Sequence, residues 1–496
     1  MIVLKREEMY RCDANTIAKA GIPGKELMEN AGRNSAIYIR ENILESGRVI
    51  IFCGAGNNGG DGFVIARYLK EWGYLVTVML TGKETRMTPE TESNMRRCQL
   101  LNIEVKTLLS LTDWQESGIS LSSNDLVIDA ILGVGFRGKL RGWLAELIEI
   151  INNQSKLIVA IDIASGTDAD NGMASGSIRA DFTLTMAALK YGSLLGEGAV
   201  CAGKTIVMDI GMPDKIIQEE APKGRLATSR DIVFPLRKKH FHKGNYGRIA
   251  IIAGSKGYSG AAIMAARAAL RAGAGLITLF HPAGMESIFE TQLLEVMTRT
   301  LPDDVEKLWQ QLERFDAILI GPGTGMETSI TSILEMLIKR WQKPLVIDAD
   351  GLNTLAKHPD WLSIAHNSNV LLTPHIGEFA RLTGNSVQHI MENPIAILES
   401  FCNQYDIEVF LKSSTSIFSD GKVNFLEISG NDGLATGGSG DVLAGIIVSF
   451  IGQGLILMQA ALAASNLMGI TAEKLAKQRS TASIIPSDII ENLFRF

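Results

Sequence analysis

Cysteine is scarce in this chain, and the few present follow no pattern. Cys12, Cys53, Cys98, Cys201 and Cys402 are the five in 496 residues, and no two are spaced as CxxC. An odd, dispersed set excludes a disulfide framework and a zinc ribbon, and it suits a reducing cytosol. Basic excess is missing too. The formal net charge is -6 and the pI is near 5.8. A nucleic-acid binder needs clustered positive charge to neutralise phosphates, so no nucleic-acid partner is expected. The short run Arg237-Lys238-Lys239 reads as a solvated patch. The opening residues MIVLKREEMYRCD lack a signal peptide's basic start, apolar stretch and small-residue cleavage site. Residues 442–472 carry no charge and are long enough to imitate a membrane span. Gln453, Gln459, Ser465 and Asn466 interrupt them, and Gly452 and Gly454 split them at a turn. Two buried helices are therefore predicted there, with no membrane partner and a cytoplasmic location. No fixed-period repeat and no G-x-x-x-x-G-K-[ST] occurs, so any nucleotide chemistry must use something other than a P-loop.

What is present is ordinary globular composition, 46% hydrophobic and 21% charged. The length accommodates two large α/β domains. Residues 5–19 have helical periodicity and stop at Ala20-Gly21-Ile22-Pro23-Gly24. A second helix is predicted over 25–45. Short apolar, β-branched runs follow at 48–53, 75–80, 126–131 and 157–163, as buried parallel strands do. Helical segments near 61–72, 89–101 and 141–152 separate them, giving βαβ alternation and a Rossmann-like doubly wound sheet. Periodicity fails over 218–230, which contains Pro222 and Gly224. A linker is placed there, between domains 1–217 and 231–496. The alternation then restarts, with strands expected at 248–253, 276–280, 317–320, 345–347 and 370–372 and helices near 260–272, 327–340 and 393–405. Residues 408–412 and 416–418 read as a hairpin-like pair.

The first run ends in Gly54-Ala55-Gly56-Asn57-Asn58-Gly59-Gly60-Asp61-Gly62. Gly54, Gly56 and Gly59 satisfy G-x-G-x-x-G between a strand and a helix. Such a loop lets backbone N–H groups approach a phosphate at a helix N-terminus. A plain dehydrogenase needs an acid at the end of the second strand for the ribose. Thr81-Gly82 stands there instead, so a nucleotide held differently is expected. Asp129 and Asp162 end later strands, the second leading into Ser165-Gly166. Asn58, Asp129 and Ser165 would share one sheet edge and offer oxygen ligands suited to a hard cation. For any one of them a capping or turn role is equally open.

The segments LMENAG (27–32) and NNGGDG (57–62), Asp129 with the loop GVGFRG, and the run from Asp162 to Gly166 resemble the NAD(P)H-hydrate epimerase domain over about residues 1–215. The resemblance implies that Asn57, Asn58, Gly59, Gly60 and Asp61, the loop Gly133, Val134, Gly135, Phe136, Arg137, Gly138 and Lys139, and Asp162 contact the hydrated cofactor. It also implies that Asn58, Asp129 and Ser165 hold a potassium ion. Epimerisation at a hydroxyl-bearing carbon needs proton transfer on both faces. Asp162 and Lys190 are the acid/base candidates, with a surface or phosphate-binding role equally open for Lys190.

In the second half, Gly437-Gly438-Ser439-Gly440-Asp441 opens a long apolar helix. Its N–H groups can cradle an anion, and Asp441 can take a proton from an attacking hydroxyl. Gly321-Pro322-Gly323-Thr324-Gly325, Asp348-Ala349-Asp350 and Thr373-Pro374-His375 each follow a strand. Asp348, Asp350 or Glu378 could place magnesium through water. With GPGTG, DADGLN, TPHIGE and GGSGDVLAG, residues 225–496 resemble the NAD(P)H-hydrate dehydratase domain of the ribokinase-like superfamily, an α/β/α sandwich. By that resemblance Ala261, Gly323, His375 and Asp441 contact the hydrate, while Lys412, Ser413, Ser414, Thr415, Ser416 and Gly440 contact ADP or ATP. Lys412-Ser413 departs from the usual Lys-Gly, adding a Cβ where close backbone approach is needed. The expectation is a homo-oligomeric repair enzyme for hydrated NADH and NADPH. It would combine R/S epimerisation with nucleotide-driven dehydration of the S hydrate. The alternatives are a small-alcohol (vitamin-precursor) kinase and a front domain that only binds or scaffolds.

Overall fold

The computed structural model describes residues 1–122, 124–363 and 369–495. The chain divides into two compact units, Met1–Gly224 and Arg225–Phe496. The stretch 218–230 carries the end of the helix Asp214–Glu219 and a short strand, Gly224–Leu226.

The strands of unit 1 are β1 (Ile2–Leu4), β2 (Arg48–Cys53), β3 (Leu75–Thr81), β4 (Glu104–Leu108), β5 (Leu126–Ala130), β6 (Leu157–Ile161), β7 (Phe182–Met186), β8 (Leu189–Lys190) and β9 (Lys204–Met208). Seven form a parallel sheet in the order β4-β3-β2-β5-β6-β7-β9. β1 pairs with β8. Along β2, Val49, Ile51 and Cys53 pack into one core, while Ile50 and Phe52 pack into another on the opposite face. Burial on both faces is what a near-continuous apolar strand requires. The winding direction reverses between β2 and β5. Phe52 sits level with Asp129 and Cys53 with Ala130, so the loops after these two strands open side by side. A reversal of this kind leaves a crevice at the carboxyl edge.

Helix α1 (Arg6–Ala20) ends at Gly21, whose φ of 70° supplies the left-handed stop. Helix α2 (Asn57–Glu71) begins at Asn57 rather than at 61, so the glycines form its first turn. The packing explains why. A Cβ on Gly59 would stand 1.8 Å from the Gly54 carbonyl oxygen, so strand end and helix start are pressed together. Gly59→Ala would normally favour a helix by about 1 kcal/mol. Here the clash is expected to outweigh that and destabilise unit 1 by about 3 kcal/mol, measured by urea unfolding.

Unit 2 contributes β11 (Arg248–Ile252), β12 (Leu276–His281), β13 (Met297–Thr300), β14 (Ala317–Ile320), β15 (Leu345–Ile347), β16 (Val370–Leu372), β17 (Glu408–Leu411), β18 (Ser416–Ser419) and β19 (Asn424–Glu427), the strand Gly224–Leu226 being β10. The parallel order β13-β12-β11-β14-β15-β16-β17 is extended by antiparallel β18 and β19. The predicted hairpin is β17–β18. Helix α3 (Ser259–Arg271) buries Ala262, Ala265, Ala266, Ala268 and Ala269. A Cβ on Gly445 of the later helix would lie 2.2 Å from the Ala265 carbonyl oxygen. Alanine and glycine thus let two backbones approach closely. The uncharged stretch is two buried helices, Ser439–Gly452 and Leu457–Ala476. Among the described residues no helix is long and apolar enough to cross a membrane.

Candidate functional site

In unit 1 a cavity of about 750 Å³ opens over the β2/β5 reversal. Asn57, Asn58, Asp61, Gly133, Val134, Gly135, Phe136, Arg137 and Asp162 all line it. Gly59 and Gly60 are buried in the first turn of α2, while Gly138 and Lys139 are exposed; none of the four is in the lining. Helix α1 adds Met9, Asp13 and Ile17 from one stripe, together with Tyr10.

Asn58, Asp129 and Ser165 meet at residues 131–132. The buried Asp129 accepts from Ser165 Oγ at 2.5 Å, Ser165 N at 2.8 Å and Ile131 N at 3.2 Å. Ser165 Oγ accepts from Leu132 N at 2.8 Å, and Asn58 Nδ2 donates to Leu132 O at 3.1 Å. Asn58 Oδ1 is buried with no hydrogen-bond partner. Burial pushes the Asp129 carboxyl up to about 6, against the pull of its bonds to Ser165 and Ile131. An orphaned oxygen beside a desolvated carboxylate fits a hard cation. Among the described residues no group of three or more His, Cys, Asp or Glu side chains could hold a metal.

Asp162 has a φ of 66°, a strained setting for a non-glycine residue. It is held by N–H donation to Leu184 O at 2.8 Å, and its Oδ1 accepts from Met186 N at 3.1 Å and Lys190 Nζ at 2.5 Å. Lys190 is fully buried. Its Nζ also donates to Thr185 Oγ1 at 3.0 Å and Met186 O at 2.8 Å. Three acceptors saturate the ammonium, and Lys190 is outside the cavity lining. Burial pushes Asp13 up to about 6, opposed by Lys190 and helped by Asp162. Burial, then Asp162 and Asp13, push Asp61 well above the carboxylate range. Three acids thus surround this cavity with Lys190 as the cation that offsets them. Asp13 was not singled out from sequence. Its signal was an acid set at helical spacing between the apolar Met9 and Ile17.

In unit 2 a cavity of about 790 Å³ is lined by His375, Lys412, Ser413, Ser414, Ser416 and Gly440, all expected site residues. Thr415 is buried outside that lining. Lys412 Nζ pairs with the buried Asp348 at 2.7 Å, and a Cβ on Gly440 would lie 3.3 Å from this ammonium. The cation therefore sits against the start of the Ser439–Gly452 helix. Lys412 N donates to Pro374 O at 2.8 Å, bringing His375 alongside. His375 Nδ1 caps the helix α4 (Ile376–Thr383) by accepting from Gly377 N at 3.0 Å, and Nε2 of its exposed ring lies 3.6 Å from Glu378 Oε2. Ser413 is not among the positive-φ residues, and its hydroxyl donates to Thr415 O. The loop therefore accommodates serine without backbone strain.

Ala261, Gly323 and Asp441, also expected site residues, are not in the lining of this cavity. A Cβ on Gly323 would stand 3.0 Å from Ala261 Cβ, and Gly325 N donates to Asp350 Oδ2 at 2.9 Å. Asp441 is the third residue of the Ser439–Gly452 helix, next to Gly440. Burial pushes its carboxyl up to about 7, Asp348 adds to this, Lys412 opposes it, and Asp350 and Glu378 contribute further. Burial likewise raises Glu378.

Two α/β units, each with a glycine-loop cavity at the carboxyl edge of a parallel sheet and carboxyls tuned toward neutrality, define a two-site enzyme for phosphorylated ligands. The family described as YjeF-related protein N-terminus matches residues 24–192, and the one described as NAD(P)H-hydrate dehydratase matches residues 249–495. A bifunctional NAD(P)H-hydrate repair enzyme from Moorella thermoacetica is 36% identical across 99% of this chain and 96% of its own length. Its counterpart from Escherichia coli is 34% identical across 99% and 92%. A solved ribokinase-like superfamily protein from Enterococcus faecalis covers 55% of this chain and 94% of its own, at 27% identity and a TM-score of 0.50. The chain belongs to the bifunctional NAD(P)H-hydrate repair enzyme family.

Proposed function

We propose that the chain repairs hydrated NADH and NADPH, unit 1 interconverting the R and S hydrates and unit 2 dehydrating the S hydrate with ADP or ATP. The observation that carries it is the Lys412–Asp348 pair, which lies against Gly440 at the start of the helix that bears Asp441, in a cavity lined by His375, Ser413, Ser414 and Ser416. The nucleotide takes this cavity, and the hydrate lies against Ala261 and Gly323. Asp441 removes the proton of the substrate hydroxyl, whose oxygen attacks the terminal phosphorus. The bond from phosphorus to the leaving nucleotide breaks, and Lys412 with the helix N–H groups stabilises the charge in transit. Phosphate then departs with the C–O electrons, a ring proton is lost, and the double bond returns. With ADP the products are NAD(P)H, AMP and phosphate. Asp348, Asp350 and Glu378 would hold magnesium through water; when bound, it neutralises phosphate charge.

In unit 1, Asn58, Asp129 and Ser165 would hold potassium; when bound, it offsets the buried charge of Asp129. Asp61, whose carboxyl burial holds well above the usual range, donates to the departing hydroxyl. Asp162, fixed by Lys190, takes the proton from the water returning on the other face. In a single assay, mixed NADH hydrates with ADP, potassium and magnesium are expected to recover all their NADH absorbance, with none regained when nucleotide is omitted. Failure to recover absorbance would overturn the reading.

A further inference from the structure

One wall of the unit 2 cavity carries a polar relay that the phosphate chemistry does not use. Ser429 and Ser465 line the cavity together with the apolar Leu434, Leu443 and Met468. Behind them lies Glu427, the buried last residue of β19. Glu427 Oε1 accepts from Ser429 N at 3.1 Å and Asn466 Nδ2 at 3.3 Å, and Oε2 accepts from Ser465 Oγ at 3.0 Å. Asn466 Nδ2 also donates to Ser429 Oγ at 2.9 Å.

These bonds fix the direction of each hydroxyl. A carboxylate only accepts, so the Ser465 proton is committed to Glu427 and Ser465 offers a ligand nothing but lone pairs. Ser429 Oγ already accepts from Asn466, and its own proton is available. The wall therefore presents an acceptor beside a donor, between apolar side chains that suit a flat ring. Adenine has the complementary edge, an exocyclic amine that donates and a neighbouring ring nitrogen that accepts. A 6-oxopurine has the reverse polarity, an oxygen that accepts and a ring N–H that donates. Resting on the nucleotide reading above, we propose that Glu427 is a positioning residue. It sets Ser465 as acceptor and Ser429 as donor, so the cavity selects adenine over 6-oxopurine nucleotides.

Calorimetric binding of ADP and IDP to the full chain tests this. ADP is expected to bind about 10- to 100-fold more tightly, the range for hydrogen-bonding groups left unpaired or opposed. Glu427→Gln keeps the shape. Its carbonyl still accepts from Ser429 N and Asn466, but its amide now donates to Ser465 and turns that hydroxyl around. The ADP/IDP ratio should fall at least about tenfold, with the nucleotide KM moving and kcat unchanged. Ser465→Ala, at the cavity wall, should weaken ADP several-fold and leave IDP as it was or tighter. Equal affinities in the wild type, an unchanged ratio in Glu427→Gln, or equal weakening of both nucleotides in Ser465→Ala would each overturn the proposal. Absence of binding by either nucleotide would instead bring down the nucleotide reading with it.

Discussion

Asp441→Asn is expected to lower kcat for dehydration about 10³-fold while leaving nucleotide affinity and epimerisation nearly intact. Asparagine keeps the shape of the side chain at the helix start and removes the base. The wild-type pH profile carries a second signature of the same group. Burial and then the charge of Asp348 raise the Asp441 carboxyl to about 7. The base form therefore grows as pH rises through that value. Below it, kcat/KM should fall about tenfold per pH unit, because that ratio reports the free enzyme. Asp348→Asn should move this limb to lower pH by two routes that agree in sign. It deletes the repelling charge, and it frees Lys412 from its 2.7 Å pair to act on Asp441. An Asp441→Asn variant that keeps a tenth of the activity, or a limb that stays in place in Asp348→Asn, would exclude Asp441 as the base.

The interior of both sheets was legible because burial on two faces leaves a continuous apolar trace, as at Val49–Cys53 and Ala317–Ile320. The edges were not. β4 and β9 close the unit 1 sheet on either side, and β13 is the edge of the other. Glu104, Lys106, Lys204 and Arg299 interrupt these strands with charges that blunt an open edge. β7 was missed for a different reason. Thr183 and Thr185 are buried there, and Thr183 satisfies its hydroxyl through Ala202 O at 2.6 Å, a partner that local pattern cannot reveal. The loops were readable because close backbone approach demands glycine, as at Gly54 and Gly59. Asp13, the saturation of Lys190 and the Glu427 relay were not readable. Each depends on which helix packs over a strand end, and residues such as Glu427 and Ser465 meet only through tertiary structure.

Asp162→Asn should divide the two activities: mixed hydrates would regain the share already in the S form, and the R form would persist apart from spontaneous exchange. The expected fall in enzymatic epimerisation is about 10³-fold. The variant also has a stability effect, because Lys190 is fully buried and its carboxylate partner lies 2.5 Å away. Removing one member of a buried pair costs about 3–5 kcal/mol when the other charge is left uncompensated. Asp61 bears on that figure. Burial and then the charge of Asp162 hold Asp61 well above the carboxylate range, so loss of Asp162 lets Asp61 ionise more readily and compensate Lys190. The loss should therefore fall at or below the lower end of that range. Lys190→Met strands the Asp162 carboxylate by removing its partner at 2.5 Å, and it also removes the cation that lowers Asp13 and Asp61. It should destabilise unit 1 more than Asp162→Asn does. In the double variant the charges cancel, and urea unfolding should show a loss smaller than the sum of the two singles, with epimerisation still absent. Restored stability without restored turnover would separate the proton-transferring role of Asp162 from the positioning role of Lys190. Additive losses would mean that the pair is not coupled, and epimerisation surviving in Asp162→Asn would remove Asp162 from the chemistry.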